Sequence, residues 1–241
     1  CIVLSISPQS KPSTVACVKD LQRALPQLPV SVEASDLSSY GRDWTRFMEP
    51  APLAIAFPRT TEEIQELVHW AQRQGQALVP SGGRTGLSGG AVAAQGELVV
   101  SMDKMRKTLS YDSRDRILSI EAGQTTAMLH AFAKEQGLFY PVDFASSGTS
   151  QIGGNVATNA GGIRVLRYGL TREQVRGLTV VTGTGERLDL NRGLIKNATG
   201  YDLRHLMIGS EGTLGFVTEV SVGLVDAPPP LGVMLLSLIH I

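Results

Sequence analysis

Five glycines lie in a twelve-residue segment that follows an apolar run, Val79-Pro-Ser-Gly-Gly-Arg-Thr-Gly-Leu-Ser-Gly-Gly90. Because glycine has no Cβ, backbone N–H groups can turn inward here, and a concave row of amides binds anions such as a pyrophosphate. Arg84 could add a fixed charge at the rim. The spacing fits neither a Walker A loop nor Gly-x-Gly-x-x-Gly. Taken alone, the segment favours phosphate binding and an ordinary turn about equally.

A second segment, residues 141–162, carries small and hydroxyl side chains where a core segment would carry large apolar ones. Small side chains let a planar ligand lie against the backbone. Ser, Thr and Asn groups, and the amides of a helix predicted to begin near Thr149, can donate hydrogen bonds to it. The alternative is a long flexible loop, but loops of this length in compact domains are usually functional or disordered, and Ile152, Val156 and Ala157 argue against disorder.

A third segment, residues 195–215, has three glycines around Glu211 just before a predicted strand. That arrangement suits backbone placed tightly against a ring system. Lys196, Tyr201 and His205 are candidate polar groups near a ligand. For Tyr201 and His205 we favour a structural role, on a helix packed against the core, over catalysis.

The elements that position these segments alternate between helix and strand. The spacing predicts helices over 13–25, 60–75 and 125–137, the second opened by the capping box Thr60-x-x-Glu63 and ended by Gly75. Strands are predicted over 53–57, 77–80, 97–102, 116–121 and 215–225, and a hairpin over 178–190. Residues 33–41 are interpreted as a polar connection and 226–230 as a linker. The fold class predicted is α+β, with βαβ-like units early and antiparallel pairs later.

Composition limits the function classes. The chain has 241 residues, 42% apolar and 18% charged, and its 22 basic side chains balance 22 acidic ones. No net charge therefore attracts it to nucleic acid or to an anionic membrane. Two cysteines, Cys1 and Cys17, are too few for a disulfide framework or metal site. No segment reaches membrane-spanning length, so we expect a cytoplasmic protein, with peripheral membrane attachment as an alternative for the full-length protein.

Taken together, these segments resemble the FAD-linked oxidases that share the vanillyl-alcohol-oxidase and p-cresol-methylhydroxylase (PCMH) fold. The similarity is greatest to the bacterial D-2-hydroxyacid dehydrogenases, a group with D-lactate dehydrogenase, the glycolate oxidase FAD subunit and D-2-hydroxyglutarate dehydrogenase. It runs from about Tyr40 to Val225. It rests on Pro80-Ser-Gly-Gly-Arg-Thr-Gly-Leu, on Gly153-Gly-Asn-Val-Ala-Thr-Asn-Ala-Gly-Gly162 with Arg167-Tyr-Gly169, and on Asn197-x-Thr-Gly-Tyr-Asp-Leu203 leading to Gly209-Ser-Glu-Gly-Thr-Leu-Gly-Phe-Val217.

The resemblance implies a PCMH-type FAD-binding domain over 46–226, with a first subdomain at 46–110 and a second at 111–226. Residues 1–45 would form an N-terminal helix and arm, and 227–241 a linker stub. The chain would stop before the C-terminal FAD-linked oxidase (cap) domain. Leu236-Ser-Leu-Ile-His-Ile241 back-translates to a sequence like a transposon-end adaptor, so we interpret the last six residues as read-through. The start without Met suggests that the N-terminus is also incomplete.

The resemblance also assigns cofactor contacts. The FAD pyrophosphate loop would be Ser81 to Gly86, and the flavin and ribityl path would be lined by the second segment. The third segment would close over the adenine–ribose side or the ring. The residues implied are Pro80, Ser81, Gly82, Gly83, Arg84, Thr85, Gly86, Leu87, Ser88, Gly148, Thr149, Gly153, Gly154, Asn155, Thr158, Asn159, Glu211, Gly212, Gly215 and Val217.

The implied reaction is oxidation of a small D-2-hydroxy acid to the 2-oxo acid, with hydride transfer from Cα to flavin N5 and loss of the hydroxyl proton to a base. Some relatives attach FAD through a histidine at the phosphate loop. Here the histidines are His69, His130, His205 and His240, so we expect non-covalent FAD. In the family the base, the carboxylate clamp and any divalent metal lie in the C-terminal domain, so no catalytic residue or metal ligand is assigned here. This chain alone is expected to bind flavin weakly and to turn over poorly or not at all.

The electron acceptor stays open among a quinone, a cytochrome and an electron-transfer flavoprotein, and so does the oligomeric state. One alternative keeps the fold but changes the substrate to a sugar lactone, alcohol or aldehyde. Another is a non-catalytic FAD-binding scaffold or electron-transfer subunit. A phosphate or nucleotide-sugar binder without flavin is disfavoured by the three jointly matching segments.

Overall fold

The computed structural model describes residues 14–229 apart from 46 and 192, together with 232 and 239. The helices are α1 (Thr14–Ala24), α2 (Ala34–Tyr40), α3 (Thr61–Gln74), α4 (Thr126–Glu135), α5 (Ile152–Thr158), α6 (Val165–Tyr168), α7 (Thr171–Gln174) and α8 (Arg204–Met207). The strands are β1 (Val30–Ser31), β2 (Ala54–Ala56), β3 (Leu78–Ser81), β4 (Leu98–Ser101), β5 (Thr108–Asp112), β6 (Ile117–Glu121), β7 (Leu138–Phe139), β8 (Val175–Thr182), β9 (Arg187–Leu190), β10 (Gly215–Gly223) and β11 (Val225–Asp226). The read-through interpretation of the tail falls, apart from Ile239, outside the described residues.

The first sheet has the strand order β1-β2-β4-β3. Its β4 pairs in parallel with both β2 and β3, and β1 adds an antiparallel edge. Every residue of β2 and β4 is buried, as expected for parallel strands that are covered on both faces. The sheet ends at Ser81 and Ser101, so the glycine-rich segment leaves directly from the carboxyl end of β3.

Helix α3 connects β2 to β3 and begins and ends where the sequence predicts. The Thr60 side chain accepts a hydrogen bond from the Glu63 N–H, and Gly75 ends the helix in the left-handed conformation with φ of 62°. Its buried face, including Leu67 and Trp70, belongs to a hydrophobic cluster with Leu98 and Val100 of β4. This helix is confirmed.

The second sheet is antiparallel, with the order β5-β6-β10-β8-β9. Helices α4 and α5 cover one face of it, because Leu129, Ile152 and Val156 belong to the same buried cluster as Val180 and Val220. The Thr125 side chain caps α4 by accepting from the Met128 N–H. The predicted α+β class, with parallel pairs early and antiparallel pairs later, is confirmed.

The two sheets share one interior. Val181 and Phe216, from the second sheet, lie in the same buried cluster as Trp70 of α3. The β8–β9 turn also packs on α3. The Gln65 and Gln72 side chains donate to the carbonyl oxygens of Gly185 and Gly183, each at a distance of 2.8 Å. Along the chain, the first sheet ends at Ser101 and the second begins at Thr108.

Four local features differ from the sequence-based expectations. Residues 33–41 contain α2 instead of a plain connection, and β5 was not predicted at all. Both elements are poor in buried side chains, so the hydrophobic periodicity that reveals an element is missing. Tyr201 does not pack on the core but is 95% exposed, and the helix near it, α8, starts only at Arg204. The helix expected near Thr149 begins at Ile152.

Candidate functional site

A cavity of about 320 Å³ lies where the three glycine-rich segments meet. One wall comes from the loop after β3, a second from α5, and a third from the turn that leads into β10. The predicted cofactor residues that line it are Pro80, Ser81, Gly82, Gly83, Arg84, Thr85, Gly86, Ser88, Gly153, Gly154, Asn155, Thr158, Glu211, Gly212, Gly215 and Val217. The fold therefore brings together stretches that are more than 100 residues apart in the chain.

Four of the predicted residues do not line this cavity: Leu87, Gly148, Thr149 and Asn159. The Leu87 side chain is 71% exposed. Asn159 ends α5 in the left-handed conformation with φ of 50°, and its side-chain oxygen accepts from the Arg172 N–H. Its role in the structure is to cap a helix.

The lining also contains residues that the sequence argument did not select: Asp43, Gly90, Ala91, Met102, Gln151, Ala157, Ser210 and Phe216. Gly90, Gln151, Ala157 and Ser210 lie inside the three segments and would have been found by treating each segment as a block, and Ala91 and Phe216 directly follow a segment. Asp43 and Met102 lie outside the three segments, and no local signal marks them.

The loop after β3 presents unused hydrogen-bond donors. Within the described residues, none of the backbone N–H groups from Gly82 to Gly86 has an acceptor. Arg84 has a positive φ of 58°, which turns the chain sharply inside this run. Consecutive amides around a left-handed residue form a concave, electropositive nest that suits an anion. Leaving so many donors unpaired is costly unless water or a ligand satisfies them.

Asp43 holds the far end of this loop. Its Oδ1 accepts from the Thr45 N–H at 2.8 Å and its Oδ2 from the Gly89 N–H at 3.0 Å. The Trp44 N–H donates to the Gly86 carbonyl oxygen at 2.9 Å. Asp43 is only 7% exposed. Both carboxylate oxygens are therefore occupied by the protein, and the segment before β2 fixes the shape of the loop.

Glycines allow the three segments to touch through their backbones. A Cβ on Gly83 would lie 2.1 Å from the Thr149 carbonyl oxygen, so the first and second segments are in direct contact. Gly212, at a φ of +74°, lies against the Pro80 ring, where a Cβ would be 2.8 Å from Cγ. These glycines are needed for packing between the segments.

Gly154 differs from its neighbours because a Cβ there would meet no atom within 4 Å. It lies in the first turn of α5 and lines the cavity. Its N–H has no acceptor among the residues the structure describes, as is usual for the third residue of a helix. A flat or anionic group can therefore approach this backbone closely.

Asp103 is the acidic residue next to Arg84, which belongs to the wall formed by the loop after β3. Desolvation acts to raise the pKa of Asp103, but the hydrogen bond from Tyr40, the charge of Arg84 and the hydrogen bond from Gln151 outweigh it, and the pKa lies below its ordinary value. Asp103 is therefore a carboxylate at neutral pH. The Arg84 guanidinium lies 3.6 Å from it.

No histidine lines the cavity, in the part of the chain the structure describes. His130 Nε2 donates to the Val142 carbonyl oxygen at 2.9 Å, and His205 Nδ1 accepts from the Arg172 guanidinium at the same distance. His240 lies outside the described residues. Over those residues there is no group of three or more His, Cys, Asp or Glu that could hold a metal ion, and none of their helices has the length and apolar character needed to cross a bilayer.

Comparison with known proteins agrees with this geometry. A family model described as an FAD binding domain matches residues 52–191. A D-2-hydroxyglutarate dehydrogenase of Xanthomonas citri pv. viticola is 60% identical over 221 residues, which are 92% of this chain and 47% of that protein. One of Stutzerimonas stutzeri is 53% identical over 92% of this chain and 48% of that protein. A D-lactate dehydrogenase of Anaerostipes hadrus is 43% identical over 73% of this chain and 37% of that protein.

Solved structures extend the likeness to the fold. An alkyldihydroxyacetonephosphate synthase superposes with a TM-score of 0.78 at 24% identity, covering 95% of this chain and 43% of that one. A BBE-like protein of Physcomitrella patens gives 0.71 at 22% identity, over 89% and 45%. The chain spans about half the length of the two D-2-hydroxyglutarate dehydrogenases.

Proposed function

Because the chain belongs to the FAD-binding domain family, we propose that the cavity between the three segments holds FAD, with its diphosphate on the amides of Gly82 to Gly86. The unpaired N–H groups of this loop are the observation that carries the proposal. A diphosphate supplies several acceptor oxygens and negative charge, which is what a row of amides without acceptors lacks.

The other two segments would hold the rest of the cofactor. Gly153, Gly154, Asn155 and Thr158 form the α5 wall of the cavity, and the Gly154 N–H, which has no acceptor among the described residues, would face the ribityl chain and flavin. Glu211, Gly212, Gly215 and Val217 close the opposite side. Leu87, Gly148, Thr149 and Asn159 lie outside the lining of the cavity, so we assign them no contact with the cofactor.

We infer that the cofactor is bound without a covalent link. The support is that no histidine is among the cavity-lining residues of the described chain. Mass spectrometry of the denatured protein, after loading with FAD, should give the mass of the polypeptide alone. Flavin retained on the unfolded chain would refute this part of the proposal.

For the whole protein we propose oxidation of a small D-2-hydroxy acid of the D-2-hydroxyglutarate class. The support is 60% and 53% identity to two D-2-hydroxyglutarate dehydrogenases. When bound, FAD supplies a flavin that takes the substrate's Cα hydrogen as hydride. The residues of this chain would bind and orient the cofactor and exclude water around it. The reoxidising partner would be a quinone, a cytochrome or an electron-transfer flavoprotein.

The cofactor proposal is tested by adding FAD to the purified chain and following the flavin fluorescence. We expect quenching that saturates at high FAD; a folded chain that leaves the flavin fluorescence unchanged at high FAD would refute the proposal. The substrate proposal needs the full-length gene product, assayed with an artificial dye. D-2-hydroxyglutarate should give the highest kcat/KM among D-2-hydroxyglutarate, D-lactate and glycolate, and a sugar lactone or alcohol should give none.

A further inference from the structure

Asp103 lies behind the cavity wall and contacts four side chains. Its carboxylate accepts from the Tyr40 hydroxyl at 2.9 Å, from Arg106 at 3.0 Å and from the Gln151 amide. Arg84 lies 3.6 Å from the same carboxylate. Asp103 itself does not line the cavity, whereas Arg84 and Gln151 do.

These four partners come from separate parts of the fold. Tyr40 ends α2, Arg84 is in the glycine loop, Arg106 precedes β5, and Gln151 is the residue before α5. Asp103 is in the short 3₁₀ turn that follows β4, on the connection between the two sheets. One carboxylate therefore joins the diphosphate-loop wall to the α5 wall.

The contacts of Arg84 show how this fixes the loop. Its guanidinium carbon lies 4.3 Å from the centre of the Tyr40 ring, and its Nη1 donates to the Gly82 carbonyl oxygen at 2.9 Å. The side chain is thus folded back over its own loop, held between Asp103 and Tyr40. The Gly82 carbonyl oxygen is therefore held by Arg84, while the N–H groups from Gly82 to Gly86 have no acceptor among the described residues.

The orientation of the Gln151 amide is fixed in the same way. A carboxylate only accepts hydrogen bonds, so the Gln151 NH₂ group must face Asp103 and the amide oxygen must face away. That oxygen is buried, lies close to Gly82, and has no hydrogen-bond donor among the described residues. Gln151 itself is only 2% exposed.

We propose that Asp103 is a positioning residue that sets the affinity for FAD without touching it, by holding Arg84 and Gln151 so that the Gly82–Gly86 amides and the start of α5 face the cofactor together. This inference rests on the proposed binding of FAD in the cavity. Asp103 lies outside the cavity lining. Removing its charge should weaken FAD binding, whereas charge repulsion alone would make binding stronger.

The FAD affinity of the variant Asp103→Asn distinguishes a positioning role from a direct effect of the Asp103 charge on the cofactor. If the charge of Asp103 acted directly on the cofactor, its removal would strengthen binding of the anionic diphosphate, because like charges repel. A positioning role predicts weaker binding, since an amide offers a single acceptor oxygen and turns NH₂ hydrogens toward Arg84, Arg106 or Gln151. We expect the FAD dissociation constant to rise about tenfold, consistent with lost charge-assisted hydrogen bonds.

A matched control is Glu121→Gln. Glu121 is also a buried carboxylate, 6% exposed, and accepts from the Lys107 N–H at 2.7 Å, but it does not line the cavity or contact Arg84 or Gln151. It should lower the midpoint of apoprotein unfolding and leave the FAD dissociation constant of the folded protein unchanged. A second test combines Asp103→Asn with Gln151→Met. If Asp103 acts through Gln151, its effect on FAD affinity should be smaller in the Gln151→Met background.

A milder variant keeps the test decisive if Asp103→Asn does not fold. Tyr40→Phe removes one hydroxyl donor from the carboxylate and should raise the FAD dissociation constant two- to fivefold, about the size of one lost hydrogen bond. Circular dichroism of each apoprotein establishes that it is folded before the FAD titration.

The outcomes distinguish the two levels of the proposal. A wild-type chain that does not bind FAD would remove the proposed function and this inference with it. A wild-type chain that binds FAD, beside a folded Asp103→Asn variant that binds equally or more tightly, would overturn the positioning role alone. So would an unfolded Asp103→Asn together with a Tyr40→Phe variant of unchanged affinity.

Discussion

Adding one methyl group at Gly154 should stabilise the apoprotein and weaken its binding of FAD. Gly154 is inside α5, and a Cβ there meets no atom within 4 Å, so alanine fits without strain. Replacing glycine by alanine in a helix is worth roughly 0.5–1 kcal/mol of stability. The same methyl group would project into the cavity where the cofactor is proposed to lie against the backbone.

The neighbouring glycine provides a matched comparison. At Gly153 a Cβ would lie 2.7 Å from the Ala122 Cβ and 3.1 Å from its carbonyl oxygen. Overpacking of this kind costs about 1–3 kcal/mol, more than the helical gain. We therefore expect Gly153→Ala to unfold at lower urea concentration than the wild type, and Gly154→Ala at higher.

The FAD affinities should follow a different order from the stabilities. If the methyl group of Gly154→Ala costs about 1–3 kcal/mol against bound cofactor, the dissociation constant rises between roughly 5-fold and 150-fold. Gly153→Ala places its methyl group toward Ala122, so the folded fraction should bind with a smaller loss. Urea unfolding followed by circular dichroism and FAD fluorescence titration measure the two quantities. A Gly154→Ala protein that binds FAD as well as the wild type would show that no ligand contacts this backbone.

Three further predictions concern the framework and its pH dependence. Tyr140→Phe should leave the free energy of unfolding unchanged or raise it by up to about 1 kcal/mol, because the buried hydroxyl has no partner in the described structure; a loss above 1 kcal/mol in urea would contradict this. Thr60→Ala should cost about 1 kcal/mol through the lost cap on the Glu63 N–H, and Thr60→Ser should restore most of it in the same urea assay. The pKa of Asp103 lies below its ordinary value of 3.8, so its stabilising contribution is present above pH 3.8 and is lost as the pH falls through the lower, folded-state pKa. The difference in unfolding free energy between wild type and Asp103→Asn should therefore shrink on acidification below pH 4, and a difference that stays constant there would count against the ionised carboxylate.

Elements with local signals were predictable, and those defined by their surroundings were not. Helix α3 carries its own start and stop, Thr60 and Gly75, and both act as expected. Strand β5 has four exposed residues out of five, so nothing in its composition separates it from a loop. It is a strand because β6 offers it an edge, and pairing with a distant edge leaves no mark in a short window of sequence.

The candidate site follows the same division. Glycine-rich segments are recognisable because few other roles require so many glycines, and their convergence follows from their places at the ends of β3 and before β10. Asp43 could not be found in this way, since it acts on Gly89, 46 residues further along the chain. Asn159 was assigned as a cofactor contact by the family resemblance; in the structure it ends α5 in the left-handed conformation, which asparagine adopts more readily than most residues.

The interior shared by the two sheets constrains how a ligand can reach the cavity. Phe216 lines the cavity on one side and is packed with Trp70 and Val181 on the other, at 1% exposure. Moving the two sheets apart would expose the Phe216 side chain to water. This would cost about 1.5–3 kcal/mol for that side chain, and more for its neighbours. A ligand that enters the cavity without parting the two sheets avoids this cost.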